Sequence, residues 1–238
     1  MMSHYQSAGR TVTGKVRGHN EDAILLRDEV GLWVVADGLG GHAAGDYASA
    51  MIVERLAALP RYGNVIDFIE AIEDELGRIN ADLLESAAER GVDLIGSTVV
   101  VLVHDNDCML CGWVGDSRAY CFEDGRLRQI TRDHVHGVKD DLTQLNHAAP
   151  PAPAAGVLTR AIGAEPQLFV DWVVAGSRPG MQFVLCSDGI NKEMSDAELD
   201  EACRRVPEPQ ALVARLFDLA LSRAARDNVS AVIVRLEE

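Results

Sequence analysis

Four aspartates stand at the ends of apolar runs. Asp37 follows the run 32–36, Asp116 follows 108–114, Asp188 comes one serine after 181–186, and Asp227 lies just ahead of 229–236. An acid at the end of a buried strand is held firmly, and strand ends in a packed sheet can converge on one rim. Several carboxylates in one cleft repel each other and raise their pKa values unless a cation neutralises them. Carboxylates, a backbone carbonyl and waters suit Mg²⁺ or Mn²⁺. Two such ions about 4 Å apart would activate a bridging water and clamp a phosphoryl oxygen. Arg17 offers a planar fork that matches phosphate. Plainer roles stay open for each group. Asp37 suits a cap for a helix or turn. Asp116 suits an Asx turn with Arg118 as its local partner. Glu21 and Asp22 suit a solvated edge paired with Arg17.

These acids need elements to hold them. Residues 32–36 read as a buried strand that stops at Asp37-Gly38, with three more glycines at 40, 41 and 45. Segment 11–36 reads as three short strands in a meander, the first at 11–16. Helices are expected at 43–59 and 65–84. The second carries an apolar stripe through Phe68, Ile72, Leu76 and Ile79, with Gly91 at its far end. Strands follow at 99–103, 108–114, 119–122 and 127–130, with Asp124-Gly125 as a hairpin signal. Apolar segments at 157–162 and 169–174 precede the strand 181–186. Ser195 with Glu198 makes a capping box for a helix to 206. A further helix spans 209–225, and the last strand spans 229–236. Prolines 150, 151 and 153 break segment 134–156, which reads as an exposed insertion. His134 and His136 within it read as surface residues.

Composition excludes several classes. The chain has 238 residues, 47% of them hydrophobic, which suits one large domain with a real core. The formal net charge of -15 argues against a nucleic-acid backbone as partner. No run reaches the roughly 18 apolar residues of a membrane span. The N-terminal residues lack a signal-peptide apolar region. Five cysteines, an odd number, fit a reduced cytoplasmic compartment. Cys108 and Cys111 have the spacing of half a zinc knuckle, without a second half.

The order of the pieces is more specific than any one of them. R-G-H-N-E-D at 17–22, V-V-A-D-G-L-G-G-H-A-A-G at 34–45, G-S-T at 96–98, G-D-S-R at 115–118, T-R-D-H at 131–134, L-T-R-A-I-G at 158–163, S-D-G at 187–189 and R-D-N-V-S at 226–230 span nearly the whole chain. In this order they resemble the metal-dependent protein phosphatases called PP2C or PPM, and most closely the bacterial single-domain members. The resemblance implies an α+β fold, a four-layer α-β-β-α sandwich with two central antiparallel β-sheets. It implies one domain over 1–238 with a flap-like insertion at about 134–156. It implies hydrolysis of protein phosphoserine and phosphothreonine by a metal-activated bridging water, without a covalent intermediate.

By the same resemblance Asp37 bridges two Mn²⁺ or Mg²⁺ ions. The Gly38 carbonyl with Glu21 and Asp22 serves one ion, and Asp188 and Asp227 serve the other. Asp116, with Asp188, holds a third. Arg17 takes the substrate phosphate, while Ser97 and Asn228 support the site. Two features depart from the family. Leu39 stands where animal members have a histidine proposed as general acid, and His42, three positions on, is not assigned that role. The insertion carries H-A-A-P-P-A-P-A-A-G instead of a charged flap. The partners implied are a phosphorylated protein, a cognate bacterial Ser/Thr kinase and a forkhead-associated-domain protein of a type VI secretion cluster. A cytoplasmic monomer is expected. A phosphatase of small phosphate esters, or an inactive phosphoprotein-binding scaffold, is the alternative.

Overall fold

The computed structural model describes residues 5–40, 44–136 and 157–237. Several of its strands are apolar on both faces. In β3 (Leu32–Leu39), Val34 and Ala36 enter one core while Trp33 and Val35 enter another. Successive side chains of a strand point to opposite faces, so β3 belongs to an inner layer covered on both sides. It pairs with β2 (Asp22–Arg27) and β5 (Val99–Asp105). Next come β6 (Cys108–Val114) and β9 (Asp171–Gly176), and the short β4 (Gly96–Ser97) joins the end of β3. The other sheet runs β1 (Tyr5–Val12), β11 (Val229–Leu236), β10 (Gln182–Cys186), β7 (Arg118–Glu123), β8 (Arg126–Gln129). The named strand pairs are all antiparallel.

Helices close the outer faces. α1 (Gly45–Ala58) and α2 (Val65–Arg90) bring Ile52, Leu56, Phe68, Ile72 and Leu76 onto Leu32, Val34 and Val101. α3 (Asp188–Asn191), α4 (Asp196–Arg205) and α5 (Pro209–Ser222) cover the second sheet, with Leu212, Leu216 and Phe217 against Val184, Ala231 and Ile233. Between the sheets Trp33, Val35 and Val100 meet Phe183, Leu185 and Val232. The layers are therefore α-β-β-α, as the resemblance implied. A fully buried aliphatic or Phe side chain contributes about 1.5–3 kcal/mol, while an exposed ion pair contributes about 0–1 kcal/mol. The three apolar layers, not the surface charges, hold the sandwich.

Several boundaries differ from expectation. The first strand is Tyr5–Val12, not 11–16, because it pairs along its length with β11. β1 and β2 lie in different sheets, so 11–36 is not a meander. β3 runs through Asp37-Gly38 to Leu39 instead of stopping there. α2 extends to Arg90, its start fixed by an Asn64–Asp67 capping box and its end by left-handed Gly91. α5 ends earlier than expected, at Ser222. Segment 157–162 contributes isolated bridges, Ser97 with Ile162 and Val135 with Leu158, rather than a strand. The Ser195–Glu198 box is present as read. Of the expected insertion only 134–136 is described; the rest of it and His42 lie outside the described residues. Cys111 is buried between the sheets and Cys108 is partly exposed, both as free thiols. Among the described residues, no helix is long and apolar enough to cross a membrane.

Candidate active site

The end of β3 carries the first acid. Asp37 lies opposite Asp22 in β2, and Gly38 lies opposite Ser97 in β4. The Asp37 backbone is fixed by the next segment. Its carbonyl accepts from Thr98 N–H at 2.8 Å and from the Ser97 hydroxyl at 2.9 Å. Its own N–H donates to Thr98 Oγ1 at 3.3 Å. At Gly38 the chain approaches the start of α1 so closely that a Cβ would lie 2.0 Å from the Gly45 carbonyl oxygen.

The other groups arrive from separate places. Asp188 opens α3 straight after β10, Asp116 sits in the break between β6 and β7, and Asp227 precedes β11. Arg17 and Glu21 lie on the crossing from β1 to β2. Asn228 pins that crossing. Its Oδ1 accepts from Glu21 N–H at 2.9 Å, and its Nδ2 donates to Thr13 O at 3.0 Å and His19 O at 2.9 Å. A support by Ser97 and Asn228 thus has a concrete form, the fixing of backbone on either side of the acids.

One cleft of about 230 Å³ is lined by Arg17, Glu21, Asp37, Gly38, Asp116, Asp188, Asp227 and Asn228, with Leu39, Gly40, Leu158 and Lys192. Asp22 lies behind it, 7% exposed, and its Oδ2 accepts from the hydroxyls of Ser187 at 2.7 Å and Ser230 at 2.6 Å. A larger groove of about 790 Å³ lies beside Asp105–Asp107 and Leu236. Its Arg61 is already paired with Asp105 at 2.9 Å, so size does not mark the reactive site; the concentration of acid does.

The local pairings differ from those read in sequence. Arg17 binds Asp227 through two nitrogens, at 2.9 and 3.2 Å, rather than Glu21 or Asp22. Arg118 grips Asp133 and is not the partner of Asp116. Sequence reasoning missed Lys192, whose Nζ reaches Asp188 and, at 3.4 Å, Asp227. Its spacing of four from Asp188 on a helical turn was the available signal. The Ser187 and Ser230 hydroxyls carried no such signal.

Burial dominates the electrostatics. It raises Asp37 well above the ordinary carboxylate value, with the charges of Asp22 and Asp188 adding to it. Asp22 is raised to about 6 by burial, against the pull of the two serine hydroxyls. Asp116 is raised to about 6 by burial and then by Asp188. Burial also raises Asp188 despite Lys192. Asp227 differs: burial pushes it up, but the Arg17 hydrogen bond and charge hold it below its ordinary value. Among the described residues, five carboxylates face two cations along the cleft.

That imbalance fits divalent cations. Among the described residues, no three His, Cys, Asp or Glu side chains stand ready around a single point. Yet buried Oδ1 atoms of Asp22 and Asp188 lack hydrogen-bond partners, which costs free energy unless a cation or water meets them. Hard oxygen donors in excess of positive charge are the donor set of Mg²⁺ or Mn²⁺.

Comparison with known proteins agrees with this chemistry. Residues 15–233 match the family Protein phosphatase 2C. The chain is 30% identical to serine/threonine phosphatase stp of Listeria innocua, over 94% of this chain and 93% of that one. Its structure resembles that of PppA, a key regulatory component of T6SS in Pseudomonas aeruginosa. That match has 40% identity, a TM-score of 0.89 and 98% coverage of both chains. It also resembles the catalytic domain of serine threonine protein phosphatase PstP in complex with 2 manganese ions. There the identity is 27% and the TM-score 0.80, covering 98% of this chain and 99% of that one.

Proposed function

This chain belongs to the Protein phosphatase 2C family, is a metal-dependent protein serine/threonine phosphatase that reverses kinase phosphorylation, and we propose specific roles for its residues. Asp37, the Gly38 carbonyl, Glu21 and Asp22 would hold one Mn²⁺ or Mg²⁺ ion, and Asp37, Asp188 and Asp227 would hold a second. Asp116 and Asp188 would hold a third. Such ions neutralise the acids, lower the pKa of water and draw charge from phosphoryl oxygens. Arg17 takes the substrate phosphate, for which its planar fork is suited; it exchanges Asp227 for that phosphate. Ser97 and Asn228 keep the backbone on both sides of the acids in place. Leu39 brings no proton donor to the cleft, and His42 is given no part. The observation that carries these roles is the single cleft collecting Arg17, Glu21, Asp37, Gly38, Asp116, Asp188 and Asp227 from distant parts of the chain.

The likeness to PppA supports a place in a type VI secretion system. There the chain would oppose a serine/threonine kinase, beside a forkhead-associated-domain protein. We place it in the cytoplasm as a monomer, and read residues 1–238 as one domain.

The test is Mn²⁺-dependent phosphate release from a phosphothreonine peptide and from a sugar phosphate, with Asp37→Asn and Asp188→Asn beside the wild type. We expect turnover on the peptide and a loss of at least about 10²-fold in each variant, the scale of removing one electrostatic stabiliser. Equal activity in Asp37→Asn would sink its bridging role. Preference for the sugar phosphate would move the reading to small esters.

A further inference from the structure

Two motifs, T-R-D-H at 131–134 and L-T-R-A-I-G at 158–163, contribute only Leu158 to the cleft lining. They meet at His134, which is 9% exposed, not the surface residue expected from sequence. We propose that His134 is a positioning residue that locks the backbone carrying Asp116 to the cleft wall at Leu158. The proposal rests on the metal-site roles assigned to Asp116 and its neighbours.

His134 holds Gly115, the residue before Asp116, at two points. Its backbone N–H donates to Gly115 O at 2.9 Å. The Gly115 N–H donates back to His134 Nδ1 at 3.0 Å. Asp116 stands in a break between strands, and this reciprocal pair fixes the residue just before it. The imidazole must then keep a lone pair on Nδ1 and its proton on Nε2. Nε2 lies 3.1 Å from Asp171 Oδ2, the acceptor such a proton needs. Arg160 fixes Asp171 in turn, at 3.0 Å. The ring also stacks on Trp113, with centroids 6.0 Å apart and planes 19° off parallel.

The same residue reaches the other motif. The His134 carbonyl accepts from Thr159 N–H at 2.8 Å, and Val135 bridges Leu158. Asp116 and Leu158 both line the cleft. One side chain and its peptide groups thus tie an acid from one segment to an apolar wall from another. Burial lowers the imidazole pKa, which keeps Nδ1 free to accept. His134 touches no reacting group. Its effect is on where Asp116 stands, and the loss of such outer partners typically costs about 10–100-fold in metal affinity or activity.

Amide substitutions separate the two ring nitrogens. Asn places an oxygen near the Nδ1 position and can accept from Gly115. Gln reaches toward Asp171 and leaves the Gly115 N–H without its acceptor. We would measure peptide kcat, Mn²⁺ binding by calorimetry and thermal midpoints for His134→Asn, His134→Gln, Asp116→Asn and the His134→Gln/Asp116→Asn double variant. The expected result is a fall of about tenfold or more in kcat and weaker Mn²⁺ binding for Gln. Asn should recover most of both at a similar thermal midpoint. The Gln effect should vanish when Asp116 is already Asn, because both changes act through one group. Equal losses in Asn and Gln, or an undiminished Gln effect in the Asp116→Asn background, would overturn the proposal. Absent Mn²⁺-dependent turnover in the wild type would instead count against the phosphatase roles, while the calorimetric cycle still reads the link between His134 and Asp116.

Discussion

The sequence uses the same phrase twice, an apolar strand running to Asp-Gly, and the fold resolves it in two ways. At Asp37-Gly38 the strand continues, and Asp37 lies opposite another acid, Asp22. At Asp188-Gly189 the chain turns into a short helix, and Lys192 one turn on reaches back to the acid. Both acids are raised by burial, but Asp37 has further acids as its next influence and Asp188 has Lys192. The residue after each glycine ends in a different place. Leu39 keeps pairing with Gly96, whereas Ile190 drops into the core under α5. A carboxylate at a strand end is thus not one kind of site. One end gathers acids against each other; the other is partly compensated from within by Lys192.

The strongest way to break this contrast is through the glycines. A Cβ at Gly38 would lie 2.0 Å from Gly45 O, and one at Gly189 would lie 1.9 Å from Asn228 O. Gly38→Ala and Gly189→Ala should each cost about 1–3 kcal/mol or more, because backbone must move. In a chain of this size that is a fall of several degrees, roughly 2–4 °C per kcal/mol, in the thermal midpoint. An unchanged midpoint in either variant would show that its close approach is relaxed.

A smaller effect sharpens the charge side. Asp22 and Asp116 are raised from 3.8 to about 6 in the folded chain. Between those values the folded state binds more protons than the unfolded one, so stability falls as pH rises. The metal-free protein should therefore lose thermal stability from about pH 4 to about pH 6 through these groups, and Mn²⁺ should restore it at the upper end. Groups held low, such as Asp227, work in the opposite sense only at more acid pH. Thermal scans in chelator, for wild type and Asp116→Asn, give the check. The variant should show a shallower fall, and equal slopes would show that Asp116 does not contribute to it.

The smallest effect concerns Lys192. It is half-exposed, so its ion pairs contribute at most about 1 kcal/mol. Lys192→Ala should move the metal-free thermal midpoint by only a few degrees. A collapse of the fold would mean that the Asp188 end depends on its internal cation far more than the contrast allows.

The acids were legible because the apolar runs before or after Asp37, Asp116, Asp188 and Asp227 mark strand ends, whatever the sheet order. The helices α2 and α4 were legible through their stripe and capping residues. The partner of β1 was not. It is β11, and the Asn228 side chain that pins the crossing binds Thr13 across 215 positions. Local pattern carries no signal at that range. His134 failed for a related reason. Its polarity argues for solvent, and only the Gly115 N–H and Asp171, brought by other segments, make its burial tolerable. Lys192 was overlooked although its spacing was visible, because a helical turn was not expected directly after Asp188.

β11 has a consequence for the order of synthesis. It lies between β1 and β10 in the sheet, and Asp227 and Asn228 emerge from the ribosome just ahead of it. Until residues 229–236 are made, β1 lacks its neighbour, and Asp227 and Asn228 lack the strand that seats them beside the Arg17 crossing. Pairing so distant in sequence forms late and slowly. The cleft is therefore completed only after β11 has been made. A chain cut before residue 229 would leave β1 without its neighbour and the acids without their full frame.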